Sequence, residues 1–151
     1  GTYGGGDPSS TGSPWWQRAG IGRSTAEARR SHVILIDTSI WVDHLHNGDQ
    51  RLSQLLNARQ VLVLPFVIGE LALGYLRQRR LILENLRALP HIAVATHDEV
   101  MTFIDRQKLF GLGIGYVDAH LLAAVRLEPG TTLWTRDKRL SEVADGIGLA
   151  Q

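Results

Sequence analysis

Residues 33–39 read VILIDTS, and this short stretch decides the fold that we expect for the rest of the chain. Four consecutive apolar residues followed by an acid are typical of a strand buried on both faces, and such strands belong to parallel sheets covered by helices. Asp37 then follows the carboxyl end of that strand. Ligands of open α/β sheets bind in the crevice outside those ends, so Asp37 is the first candidate functional residue.

The sequence after Asp37 alternates between helical and strand patterns. Strands are expected at 61–64, 91–95, 131–135 and 147–150. Helices are expected at 40–47, from Asp49, from Pro65 as far as the arginines near residue 80, at 81–89, behind a Thr96–Glu99 capping box at 100–110, at 116–126, and from Asp137 through Ala144. This alternation predicts an α/β sandwich with a central, mostly parallel sheet.

Composition sets broad limits on the class of protein. A chain of 151 residues with 44% hydrophobic content fits one globular domain with a real core. No apolar run approaches the roughly 18 residues of a membrane span, and no secretory-type segment stands near the N-terminus, so we expect a cytoplasmic protein with no membrane partner. The lack of cysteine excludes disulfides, thiolate metal ligands and a cysteine nucleophile.

The first 32 residues differ in composition from the remainder. Gly, Ser, Thr, Pro and Arg dominate them, and no helical or strand period is sustained. We expect 1–32 to be a flexible extension and 33–151 to be the folded domain. The extension is either vector or upstream sequence, or a segment that folds on binding, with Trp15 and Trp16 as anchors and Arg18 or Arg23 as charged contacts.

Two further acids occur on apolar helix faces without a local basic partner. Glu70 falls in the second turn of the helix that begins at Pro65, and both Glu70 and Asp118 have only apolar residues or glycine three and four positions away. Unpaired buried carboxylates are costly, so these two predict a partner from outside their helices. A divalent cation shared with Asp37 and Asp137 is the economical answer, although either of those two acids alone could simply cap a helix.

The chemistry of this acid set narrows the expected reaction. Carboxylates with neighbouring hydroxyls and no thiolate suit Mg²⁺ or Mn²⁺ rather than zinc. Such a site can activate water and neutralise charge at a phosphoryl transition state. We therefore expect hydrolysis of phosphodiester bonds.

The same residues resemble a known family. VILIDTS with Asp37, PFVIGEL with Glu70, GYVDAHLLAA with Asp118 and LWTRDKRL with Asp137 are similar, in this order over 33–151, to PIN-domain ribonucleases and specifically to the VapC toxins of bacterial type II toxin–antitoxin modules. The resemblance implies a Rossmann-like, three-layer α/β/α sandwich. It also implies metal-dependent endonucleolytic cleavage of RNA, a homodimer, and a cognate VapB antitoxin that blocks the site.

The resemblance also implies roles for individual residues. Asp37, Glu70 and Asp118 would be the main metal-binding and catalytic acids, and Asp137 would complete the quartet. Thr38 or Ser39, and Thr135, would orient acids or water. Candidates to hold RNA phosphates, on what could equally be a solvated face, are Arg77, Arg79, Arg80, Arg136, Lys138 and Arg139. The 32-residue extension is foreign to the family pattern, and its Trp15–Arg23 segment could mimic an antitoxin tail.

Two other functions remain open at the level of sequence. One is a non-catalytic module of the same fold, whose acids only dock an antitoxin or a basic residue of a partner. The other is a structure-specific DNA nuclease of related architecture. Acids at all four positions favour an active enzyme, and a small single domain without an obvious DNA clamp disfavours the DNA nuclease. Trp41 and Trp134 could stack bases, but their apolar contexts favour packing in a core or an interface.

Overall fold

The structure, a computed structural model, describes residues 32–151. The predictions for the N-terminal extension, including the Trp15–Arg23 segment, lie outside the described residues. The strands within 32–151 are β1 Val33–Ile36, β2 Val61–Leu62 and β3 Thr131–Trp134. The helices within the same range are α1 Thr38–Asn47, α2 Gln50–Asn57, α3 Pro65–Leu73, α4 Arg79–Ala88, α5 His97–Gln107, α6 Tyr116–Leu127 and α7 Lys138–Gly146.

The strand β1 is the centre of a parallel sheet with the order β2-β1-β3. It pairs Ile34 with Val61 on one side and, over its whole length, matches residues 33–36 to residues 131–134 on the other. Parallel strands require long crossover connections, and helices provide those connections here. The predicted α/β architecture with a parallel sheet is therefore confirmed, and the carboxyl ends of β1 and β3 meet at one edge.

Burial explains why β1 has no polar residue before Asp37. All four of its residues are at most 3% exposed, because helices cover both faces of the sheet. The helix α6 is almost as deeply placed, with residues 119–125 all buried. Asp118 stands just before this buried run, so the packing of the core fixes the position of its backbone.

The strands predicted at 91–95 and 147–150 are each reduced to a single bridge. Residues 91–95 contribute one bridge, from His91 to Val63, and residues 147–150 contribute one, from Ala150 to Leu133. The Val63 N–H donates to the Pro90 carbonyl, and the Val63 carbonyl accepts from the Ile92 N–H. The helix α3 begins two residues later, so the 91–95 segment has no further strand to pair with. The strand predicted at 61–64 is shortened to Val61–Leu62 for the same reason.

The helix α3 is also shorter than predicted. It ends at Leu73, and Gly74 has an extended backbone, so the prediction of a helix running on to the arginines, with Tyr75 facing inward, is wrong. Tyr75 is 94% exposed. Glycine weakens a helix interior because it loses more backbone entropy than other residues. Arg79 donates to the Ala72 carbonyl at 2.7 Å, which helps to satisfy the last turn of α3.

The capping signals were better guides than the periodicity. The Thr96–Glu99 capping box is present and starts α5, which ends at Gln107 rather than at residue 110. Asp49 accepts from the Leu52 N–H at 2.8 Å and starts α2. No helix within residues 32–151 is both long enough and apolar enough to cross a membrane.

Candidate active site

Asp37 lies directly after β1 and is 6% exposed. Its backbone N–H donates to the Trp134 carbonyl at 3.0 Å, which extends the sheet pairing by one step. Its Oδ2 accepts from Ser39 Oγ at 2.8 Å and from Thr135 Oγ1 at 2.6 Å. Although Asp37 stands at the N-cap position of α1, its side chain makes no capping bond. Capping therefore does not explain this acid.

The two hydroxyls beside Asp37 also join the loops that follow β1 and β3. Ser39 Oγ accepts from the Arg136 N–H at 2.9 Å, and Thr135 Oγ1 accepts from the Asp137 N–H at 3.0 Å. A hydroxyl has one hydrogen to donate, and these backbone donors direct that hydrogen towards the carboxylate. The arrangement holds Asp37 Oδ2 as a fixed acceptor at the sheet edge.

Glu70 is exposed on α3, and its Oε1 accepts from Thr38 Oγ1 at 2.7 Å. The expectation that Glu70 is buried is therefore wrong, whereas its partner does come from outside its own helix, as expected. The partner comes from the first residue of α1, so no pattern within α3 could show it. The bond brings Glu70 next to the segment that carries Asp37.

Asp118 is half-buried at the start of α6, and its Oδ2 accepts from the Gly115 N–H at 2.9 Å. Burial raises the pKa of this carboxyl, and the Gly115 hydrogen bond only partly opposes that effect. The negative charges of Asp37, Asp137 and Glu70 raise the pKa of Asp118 further. Asp118 thus lies within electrostatic range of the other three acids.

Like Asp118, which accepts from the N-cap N–H of Gly115 at the start of α6, Asp137 acts as a helix cap. Its Oδ1 accepts from the Leu140 N–H at 3.0 Å and starts α7, and the residue is exposed. This confirms the predicted helix start. The charge of Asp137 nevertheless reaches Asp118, as the raised pKa of Asp118 shows.

The donor chemistry of the site fits a hard divalent cation. The side chains are carboxylates and hydroxyls, and the protein has no thiolate. A cation would offset the burial and the neighbouring negative charges that together raise the pKa of Asp118. Within residues 32–151, no three acidic or histidine side chains stand in an arrangement that would already hold a metal ion. The acids and hydroxyls of the site therefore fit a divalent cation in charge and in the type of donor atom.

Comparison with known proteins decides the family. The sequence profile of the PIN domain matches residues 34–146, a range that includes all four acids. The chain belongs to the PIN domain family. It is also 46% identical over 121 residues to proteins named Ribonuclease VapC32 from two strains of Mycobacterium tuberculosis. These alignments cover 79% of this chain and 98% of each relative. The resemblance to VapC-type PIN domains is confirmed.

The basic residues of this PIN domain have varied surroundings. Arg136 pairs with Asp43 through Nε at 2.7 Å and with Asp49 through Nη2 at 2.6 Å. The pKa of Asp49 is lowered mainly by the Leu52 N–H, against an opposing effect of desolvation, and also by the Arg136 charge. Arg136 therefore clamps the β3–α7 loop onto α1 and α2.

The other predicted phosphate ligands divide into two groups. Arg77 lies in the loop between α3 and α4, and Arg79 and Arg80 are the first residues of α4. All three are exposed, and Arg80 pairs with Glu84 at 3.1 Å. Lys138 and Arg139 are exposed at the start of α7, directly after Asp137. Arg139 packs so closely on Gly113 that a Cβ at this glycine would collide with its guanidinium. The RNA contacts of all these residues stay a prediction.

The tryptophans of this PIN domain have different environments. Trp41 is 3% exposed, so the expectation of packing in the core is confirmed for it. Trp134 is half-buried at the end of β3, and the Arg51 guanidinium carbon lies 4.5 Å from its ring centroid.

Sequence reasoning missed a group of rings on the helices that carry Glu70 and Asp118. His120 is 4% exposed and lies between Phe66 and Tyr116, with ring centroids 4.8 Å and 4.7 Å away. Burial lowers the pKa of His120, and the nearby His97 lowers it further. Tyr116 and His120 are one helical turn apart, which was a usable signal, but nothing in the sequence places Phe66 against them.

Proposed function

We propose that this PIN domain is a metal-dependent endoribonuclease, the toxin of a toxin–antitoxin module. The observation that carries the proposal is the grouping of the acids at one sheet edge: Thr38 joins Glu70 to the segment after β1, and Thr135 joins Asp37 to the backbone of Asp137. The match to proteins named Ribonuclease VapC32, over almost their whole length, supports RNA as the substrate.

Each acid has a role that follows from its surroundings. Asp37, Glu70 and Asp118 would hold Mg²⁺ or Mn²⁺, with Asp137 completing the set. When bound, the cation supplies Lewis acidity that favours ionisation of water and offsets charge on the phosphate. The protein's own contribution is to fix the ligands in place before the substrate arrives.

The hydroxyls provide that positioning. Ser39 and Thr135 both donate to Asp37 Oδ2, which leaves the other oxygen of this carboxylate to the ligand side. Thr38 does the same for Glu70 Oε1. The Gly115 N–H holds Asp118 Oδ2. Three of the four acids are thus oriented by donors on loops or helix starts at the same edge of the sheet.

The partners follow from the same resemblance. We propose a VapB-type antitoxin that covers the acids, a homodimer as the working form, and the cytoplasm as the compartment. The VapC name of the relatives supports the antitoxin. The homodimer and the compartment rest on the family resemblance alone. For the N-terminal extension we keep both proposals, an upstream segment and an antitoxin-like tail.

The decisive experiment is cleavage of a mixed RNA pool by purified protein with Mg²⁺ or Mn²⁺, followed by sequencing of the new ends. We expect cuts at defined sites that EDTA and Asp37→Asn abolish, leaving a 5′-phosphate and a 3′-hydroxyl. Asp105→Asn is the matched control, because Asp105 is an exposed acid on α5. A 2′,3′-cyclic phosphate at the ends would contradict hydrolysis by water.

A single-stranded and a duplex DNA substrate complete the design. Cleavage of DNA in preference to RNA would replace the proposal with a DNA nuclease. If metal-loaded protein cuts neither nucleic acid, with or without residues 1–32, the acids serve only for binding and the enzyme proposal fails.

A further inference from the structure

Two half-exposed aromatic rings lie on the two helices that carry Glu70 and Asp118, one ring on each helix. Phe66, 39% exposed, lies in the first turn of α3, four residues before Glu70 and therefore on the same face. Tyr116, 45% exposed, is the first residue of α6 and lies two positions before Asp118. Phe66 thus shares a face with Glu70, and Tyr116 is held next to Phe66 because both rings contact His120.

The two rings are held in place by a buried imidazole. The His120 ring stands nearly perpendicular to both, at 90° to Phe66 and 86° to Tyr116. The Tyr116 hydroxyl is within 2.5 Å of His97 Nδ1, which fixes its far end as well. Among the described residues, His120 Nδ1 has no hydrogen-bond partner although it is buried. The fold therefore positions an imidazole whose visible contacts are with Phe66 and Tyr116.

A structural role in the core does not account for the exposure of these rings. Aromatic side chains that serve only packing gain most when they are fully covered. Phe66 and Tyr116 instead leave more than a third of their surface to solvent while their positions are fixed. Rigid, accessible rings lose little entropy when a flat ligand stacks on them.

We infer that Phe66 and Tyr116, the aromatic pair, stack an unpaired nucleobase next to the phosphate that the enzyme cleaves. This rests on the proposed function, and it deepens it by assigning the residues that select single-stranded RNA. Every nucleotide carries a π-face close to its phosphate, so a phosphate at the acids brings a base within reach of the neighbouring rings. A base inside a duplex is already stacked on both sides and cannot use the pair.

The test measures RNA binding in the Asp37→Asn background, where the RNA stays intact. Single-stranded RNAs carry a fluorescent purine analogue at successive positions, and stacking on a ring quenches its emission. We expect quenching at one position, and about tenfold weaker binding with loss of that quenching in Phe66→Leu and Tyr116→Leu. Tyr116→Phe keeps the ring and should retain both signals. Tyr75→Leu, which removes a fully exposed ring on the α3–α4 segment, is the matched control.

Kinetics separate stacking from a merely structural role. In the active background, with folding confirmed by thermal melts, Phe66→Leu should raise KM far more than it changes kcat, because stacking acts in the ground and transition states alike. A duplex RNA that contains the same sequence should bind Phe66→Leu, Tyr116→Leu and the parent equally.

The outcomes distinguish the two proposals. If the unaltered protein cleaves RNA but the leucine variants bind and quench like the parent, the inference about the aromatic pair is overturned and the proposed function stands. If the unaltered protein neither cleaves nor binds RNA, both fall. If the variants lose only the binding of an antitoxin peptide, the pair is a protein-docking surface and the inference is again overturned.

Discussion

Thr135 donates its hydroxyl hydrogen bond to Asp37 at 2.6 Å, although the two residues lie 98 positions apart in the sequence. One residue follows β1 and the other follows β3, so parallel pairing of the two strands is what brings them together. The same hydroxyl accepts from the Asp137 N–H. One side chain therefore couples Asp37 and Asp137, the first and the last of the four candidate acids.

Thr135→Val should remove this coupling while keeping the shape of the side chain. We expect ten- to a hundredfold lower cleavage, the usual range for losing a residue that orients a metal ligand. We also expect a loss of about 1 kcal/mol in the free energy of unfolding, measured in urea. Thr135→Ser should restore most activity, and Thr102→Val, on the exposed face of α5, should change neither quantity. Full activity in Thr135→Val would show that Ser39 suffices.

Asp118→Asn should abolish cleavage and yet stabilise the metal-free protein. The folded-state pKa of Asp118 is raised above its ordinary value, so its contribution to stability is present at low pH and is lost as pH rises through the folded pKa. At neutral pH the charge therefore destabilises the fold, and asparagine can still accept the Gly115 N–H. Thermal melts in EDTA across acid to neutral pH provide the measurement.

A matched variant gives this experiment its control. Asp105→Asn removes an exposed acid and should leave the melting curve unchanged. Added Mg²⁺ should raise the melting temperature of the parent more than that of Asp118→Asn, since ligands stabilise the state that binds them. A lower melting temperature for Asp118→Asn in EDTA would contradict the prediction.

Glu70→Gln should impair cleavage without cost to the fold. Glu70 is exposed, and substitutions at such positions usually change stability by less than about 0.5 kcal/mol. The glutamine carbonyl can still accept from Thr38, so only the charge is lost. We expect a higher Mg²⁺ concentration for half-maximal cleavage, read from a metal titration with Glu84→Gln on α4 as the comparison. If Glu70→Gln and Glu84→Gln require the same Mg²⁺ concentration, Glu70 does not bind the metal ion.

Arg136→Ala distinguishes a structural clamp from an RNA contact. As a clamp on Asp43 and Asp49, it should lower the free energy of unfolding by up to about 1 kcal/mol, less at high salt. Combining it with Asp43→Asn should give a smaller effect than the sum of the two single changes. An RNA contact would instead weaken RNA binding and reduce its salt dependence with no change in stability. Binding titrations and urea denaturation on the same variants separate the cases.

The sequence was sufficient where the signal was local. The apolar run before Asp37 predicted the central strand, and the caps at Asp49, Thr96 and Asp137 predicted three helix starts. It failed where the outcome depended on a distant partner. The 91–95 segment pairs only with Val63, because Pro65 starts α3 two residues later and ends the neighbouring strand.

The same limit applies to the candidate site. The four acids could be selected from sequence because each lacked a local explanation or followed a strand. The partner of Glu70 could not, since Thr38 reaches it from another helix. Nor could the grouping of Phe66, His120 and Tyr116, whose contacts arise only when α3 packs beside α6.

The deep burial of α6 bears on how such an enzyme can be silenced. Residues 119–125 are enclosed along the whole run, so their amides should exchange with solvent only when the entire domain opens. The backbone of Asp118 continues directly into that run. An inhibitor can therefore cover the acids from outside. Otherwise, activity is lost only when the whole domain unfolds and the chain is degraded.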